Sequence, residues 1–154
     1  MARVRIHFWR GTGIVGSLIR FFSWGEVAHV AMQIDSFLFE AREFRGVVAS
    51  PYPTSLKENR KPPCKTLILE FSEEQKQQML NWWHDRLGSP YDYLSVVRFV
   101  TRRKETEGTK RKYFCSEAVS DACAFAGIPL FERVDSSKIP PSWVYRSPKL
   151  KEPV

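Results

Sequence analysis

No uninterrupted apolar stretch in this 154-residue chain approaches the ~20 residues that cross a bilayer. The basic start MARVRIHFWRGTGIVGSLIRFF is broken by Arg10, Gly11, Gly13, Gly16 and Arg20, and no small-residue cleavage site follows it, so no signal peptide is read. Three cysteines are an odd number and too few for a disulfide framework. They are expected to be reduced thiols, which fits synthesis in the cytoplasm, with any action outside it reached by another route. There is no internal repeat and no composition break. The length suits one domain over 1–154, with a core over about 3–130 and an extended, Pro-rich C-terminal tail.

What the chain has in excess is positive charge, +7 net. That favours an anionic partner: cell-wall polymer, lipid headgroups or nucleic acid. Part of the excess lies in TRRKETEGTKRK, Thr101 to Lys112, which reads as a solvated loop. ARVRIHFW alternates Val4, Ile6 and Phe8 with Arg3, Arg5 and His7, the period of a half-buried strand. GIVGSLIRFFS reads as a short helix. VAHVAMQID and FLFEAR read as strands joined at Asp35-Ser36, and GVVAS and CKTLILEF as further strands. SPYPTSLKENRKPPC reads as a loop. Ser72 with Gln75 forms a capping box for a helix that Gly88 stops; YDYLSVVRFV reads as a second helix, and YFCSEAVSDACAFAG as a third, ended by Gly127. Strands gather in the first half and helices in the second, which predicts an α+β fold.

Cys64 opens a strand and Cys123 lies among alanines, so both read as structural. Cys115 stands in the first turn of its helix, where unpaired N–H groups and the helix dipole favour a thiolate and later an oxyanion. Lys110, Arg111 and Lys112 precede it. Eight residues of helix, about 12 Å of rise, keep Cys115 and Cys123 from forming a disulfide. A reactive and a structural Cys115 both stay open on these features. Glu117, close behind it, reads as serving the helix dipole.

Of the three histidines, His7 and His84 read as surface or interfacial residues. His29 sits inside a strand. With Asp35-Ser36 as a two-residue loop, Ile34 pairs with Phe37 and Met32 with Phe39. His29 and Glu40 then lie on one sheet face as diagonal neighbours. Glu40 there could orient His29 as a general base, or simply satisfy a partly buried histidine. GTGIVG, Gly11 to Gly16, matches a dinucleotide-binding fingerprint. It is rejected because the next strand turns straight into an antiparallel hairpin, where a dinucleotide fold needs a crossover helix.

Taken in order, AHVAMQID, FLFEAREFRGVVASP, LGSPYDY and YFCSEAVSDA resemble the circularly permuted branch of the NlpC-type papain-like cysteine peptidases. This is the YiiX-like group, related to lecithin:retinol acyltransferases. In that branch the histidine strand precedes the cysteine helix, as His29 precedes Cys115 here. The resemblance, over roughly Phe8 to Gly127, implies a papain-like antiparallel sheet packed against the nucleophile's helix. It implies Cys115 as nucleophile, His29 as base and Glu40 as its orienting residue. It also implies Tyr91 as a residue that donates to the oxyanion or contacts substrate.

The expectation is therefore a cysteine hydrolase that cleaves a peptidoglycan-type peptide amide, with no cofactor and no metal. A lipid or ester hydrolase, or an acyltransferase, on the same three residues is the alternative. A further one is a non-catalytic basic domain that binds an anionic partner, with nucleic acid the less expected of these. No membrane span is expected, but peripheral contact with a membrane is open.

Overall fold

The computed structural model describes residues 1–11, 13–23, 25–52, 61–93 and 112–153. Residues 94–100 of the second expected helix, the basic run up to 111 and the loop over 53–60 lie outside the described residues. The expected α+β class holds. Strands β1 (Ala2–Trp9), β2 (His29–Ile34), β3 (Phe37–Arg42), β4 (Gly46–Pro51) and β5 (Lys65–Phe71) form one antiparallel sheet in the order β4-β3-β2-β1-β5. Among the described residues the named α-helices are α1 (Gly13–Ser23), α2 (Glu73–Arg86), α3 (Cys115–Phe125) and the short α4 (Pro141–Tyr145).

Alternation sets the faces. Val4, Ile6 and Phe8 of β1, Val30 and Met32 of β2, Phe39 of β3 and Leu67 and Leu69 of β5 join one buried cluster with Met79 and Trp83 of α2 and Ala118, Val119 and Ala122 of α3. Trp83 is fully buried and its indole N–H reaches Met32 Sδ at 3.4 Å. A large side chain buried this way stabilises the fold by about 2–3 kcal/mol. The capping box stands as read: Ser72 Oγ accepts from Gln75 N and Gln75 Oε1 from Ser72 N.

The other face departs from the reading at one point. Arg3 and Arg5 are exposed, but His7 is buried. Its ring nitrogens meet Thr66 Oγ1 and Gln33 Oε1, each at 2.8 Å, and its ring stacks on Tyr52. Beside it Trp9, Ala31 and Leu38 form a second small apolar cluster. Chain beyond β4 covers this part of the face: Tyr52 lies on it, and Lys61 O accepts from the Trp9 indole N–H at 2.9 Å. His84 is exposed, as expected.

The tail, expected to be extended, is also different. Pro141 starts α4, a position where a missing N–H costs nothing and the fixed φ suits a helix. Ile139 and Val144 enter the main core, which therefore extends beyond 130. Ser116 Oγ donates to Ile139 O at 2.6 Å, tying the tail to the first turn of α3. Further on, Lys151 and Ile68 exchange backbone hydrogen bonds, so the last described residues pair with edge strand β5.

Candidate active site

The hairpin builds the first half of the site. Asp35 takes the left-handed conformation, φ 52°, which a short polar side chain tolerates in a tight turn. The register is Ile34 with Phe37, Gln33 with Leu38 and Met32 with Phe39. Continuing it puts Ala31 opposite Glu40 and His29 diagonal to Glu40. His29 Nε2 meets Glu40 Oε2 at 2.6 Å. Glu40 has no exposed surface, and Arg42 Nε lies 3.9 Å from its other oxygen. Trp9, paired with His29 across β1 and β2, sets its indole against the imidazole with ring centroids 5.7 Å apart.

The second half is the start of α3. Phe114 is an extended N-cap with no side-chain cap bond, so Cys115 is the first helical residue. By helix geometry the N–H groups of Cys115 and Ser116 have no acceptor within the helix. The thiol is fully buried and points at Ala28 O, 3.9 Å away, at the entry to β2. There it is near enough to His29 to act on the ring electrostatically. With Nε2 on Glu40, Nδ1 is the ring nitrogen left for another partner. The thiol, the imidazole and the carboxylate are thus gathered at the entry to β2 and its hairpin partner.

Burial pulls His29 toward its neutral form, but the hydrogen bonds and charges of Cys115 and Glu40 together outweigh it and raise its pKa to about 9. Cys123, further along the same helix, is pushed up to about 12 by burial alone.

Tyr91 lies outside any helix, contrary to the reading of YDYLSVVRFV. It is buried and forms a parallel bridge with Tyr113, two residues before Cys115: Tyr113 N donates to Pro90 O and Asp92 N to Tyr113 O. Burial first, and then the charge of Cys115, raise its pKa, so its hydroxyl stays protonated. Two contacts fix this segment. Arg86 Nε donates to Tyr113 Oη at 3.0 Å. On the other side Gly88 and Ser89 bond to Val47. Gly46, at φ +73°, lies so close to them that a Cβ would fall 2.1 Å from Ser89 O.

The structure therefore brings together Cys115, His29, Glu40 and Tyr91. It separates them from Cys64, which is exposed, and from Cys123. Lys112 is exposed; Lys110 and Arg111 lie outside the described residues. Glu117 is buried, so it is no simple surface complement to the dipole. Of the GTGIVG glycines, Gly11 serves packing instead: at its φ of +72° a Cβ would lie 2.7 Å from the Cβ of Ala28, the residue that backs Cys115. Arg42 and Trp9 escaped the sequence reading. Two residues along a strand from Glu40 was the available signal for Arg42. Trp9 needed the pairing of β1 with β2.

No family model and no curated protein matches the chain. Its fold is similar to the crystal structure of the metalloprotein YiiX from Escherichia coli O157:H7, with a TM-score of 0.67 over 97% of this chain and 94% of that one at 19% identity. The fold is YiiX-like.

Proposed function

We propose that this chain is a papain-like thiol hydrolase that works through an acyl-enzyme. The observation that carries the reading is the 2.6 Å bond from His29 to the buried Glu40, with the Cys115 thiol against Ala28, the residue before His29. Cys115 gives its proton to His29, and the sulfur attacks a carbonyl carbon. The negative oxygen forms beside the N–H of Cys115 and the Tyr91 hydroxyl. The bond from carbon to nitrogen or oxygen then breaks, and His29 returns the proton to the leaving group. Water, deprotonated by His29, attacks the thioester, and the acid leaves as the thiol regains its proton. Glu40 holds the ring in place and stabilises the imidazolium.

The resemblance makes a peptidoglycan-type peptide amide the first substrate class. Exposed apolar side chains at the same end of the sheet favour a second, a lipid ester. The structural neighbour is a metalloprotein, so the fit of a metal here bears on the mechanism. These side chains do not suit one: His29 Nε2 is committed to Glu40 at 2.6 Å, and a metal on that nitrogen would have to displace the bond. Among the described residues no three of His, Cys, Asp or Glu converge as a metal-holding group.

Alkylation tests the reading. A Cys64→Ser protein keeps two thiols, both fully buried. Iodoacetamide is expected to modify Cys115 and spare Cys123, and His29→Ala to slow that modification by about 100-fold. Equal modification of both, or an inert Cys115 in the folded protein, overturns it in favour of a binding domain. Incubation with peptidoglycan fragments and with phospholipid vesicles, read by mass spectrometry, separates the substrates. Turnover of vesicles alone replaces the peptide reading with the lipid one.

A further inference from the structure

β1 ends at Trp9, β2 starts at His29 and β3 ends at Arg42, so these residues mark one end of the sheet. The candidate site lies there. Two excursions leave from the same end: α1, after β1, and the turn 43–45, between β3 and β4. Both carry large apolar side chains in water. Phe44 is 91% exposed, Phe21 74% and Leu18 40%. Leu18 and Phe21 are three apart on α1 and share a face. Phe44 adopts φ 63°, a left-handed conformation that a bulky residue rarely takes. Tyr93 holds it there: its hydroxyl accepts from Phe44 N at 2.8 Å and the two rings stand 6.0 Å apart. The aromatic tip is thus pinned outward, and Tyr93 in turn contacts Tyr91 edge-on at 5.0 Å.

Charge accompanies these side chains. Arg10 and Arg20 line an open cleft of about 440 Å³ beside Phe21, and Arg45 is exposed next to Phe44. Glu26 lines the same cleft and Glu43 precedes Phe44, so the local excess is basic but modest. A soluble polyanion needs charge alone and would leave Phe21 and Phe44 in water. A second copy of the chain needs one continuous complementary patch, whereas these are separate protrusions on either side of the site. A fluid surface with an apolar interior and anionic headgroups satisfies both features at once.

We propose that this end of the sheet docks on an anionic lipid bilayer. Leu18, Phe21 and Phe44 enter the headgroup boundary, and Arg10, Arg20 and Arg45 lie against lipid phosphates. The inference stands beside the hydrolase reading and does not need it, so it is tested with the nucleophile removed.

The experiment uses Cys115→Ser protein, co-sedimented with vesicles of phosphatidylcholine alone and of phosphatidylcholine mixed with phosphatidylglycerol. Binding to the mixed vesicles is expected, weakened by salt and weakened about tenfold or more by Phe44→Ser combined with Phe21→Ser. Phe44→Ser alone gives a smaller loss in the same direction, which guards against a fold defect in α1. Three outcomes overturn the proposal. One is no binding to the mixed vesicles. Another is binding that the serine variants leave unchanged, equalled by binding to polyphosphate. The last is a change of oligomeric state in those variants by light scattering, which assigns the face to a second copy.

Discussion

Cys115 and Cys123 lie on one helix, and neither has exposed surface. Around Cys123 burial is the whole environment, and its thiol is pushed up to about 12. Around Cys115 the same burial includes an imidazole and the first N–H groups of the helix, and the thiol's charge is felt by the buried Tyr91. The contrast teaches that burial by itself does not decide what a thiol can do. What separates the two environments is a polar partner buried near Cys115 and itself held by a carboxylate. The position of a cysteine within its helix, first turn or later, determines whether such partners can reach it.

The largest test of this contrast exchanges the two thiols' fates. On the hydrolase reading, Cys115→Ala should prevent any acyl-enzyme from forming, as read by intact-protein mass spectrometry, while Cys123→Ala leaves it and costs about 1 kcal/mol of stability. Loss of the acyl-enzyme in both variants would erase the distinction.

Glu40→Gln keeps the volume of the side chain but removes its charge. Turnover should fall roughly 100-fold, with a changed pH profile. The raised pKa of His29 has a stability counterpart whose sign is fixed. The folded state keeps a proton that the unfolded chain releases near pH 6.5, so the contribution is complete below that pH and is lost as the pH rises through about 9. The wild-type melting temperature should therefore fall more steeply over that interval than that of Glu40→Gln. Parallel curves would show that Glu40 does not hold the proton on His29.

Gly46→Ala forces a Cβ into Ser89 O and a left-handed backbone onto alanine. It should cost about 2 kcal/mol or more and displace the segment that carries Tyr91, lowering turnover about tenfold while iodoacetamide still prefers Cys115. Tyr91→Phe is the mildest change. It should reduce turnover several-fold, about the worth of one hydrogen bond, with alkylation of Cys115 unchanged. A slower alkylation would make Tyr91 a partner of the thiol instead of the oxyanion.

The hairpin was legible because two constraints agreed: a two-residue turn at Asp35-Ser36 and an apolar alternation that any slip would invert. That register alone was enough to set His29 beside Glu40. The start of α3 was legible too, since Cys115 opens an amphipathic run closed by Gly127. His7 was misread because Arg3, Arg5 and His7 share a face that only chain from far along the sequence covers. Tyr91 was misplaced because its bridge to Tyr113 is a non-local pairing with no periodic trace. Pro140 and Pro141 looked like a break in structure, although a proline in a first helical turn is compatible with the helix that follows.

Both edges of the sheet carry backbone pairing from outside it. At β4, Val47 bonds to Gly88 and Ser89; at β5, Ile68 bonds to Lys151. An open edge invites another chain to add a strand, which is how sheets polymerise into aggregates. Lys151 closes such an edge with a positively charged residue, itself paired to Glu70. The few residues around it therefore act as an anti-aggregation clasp, and trimming them would first show as a loss of solubility.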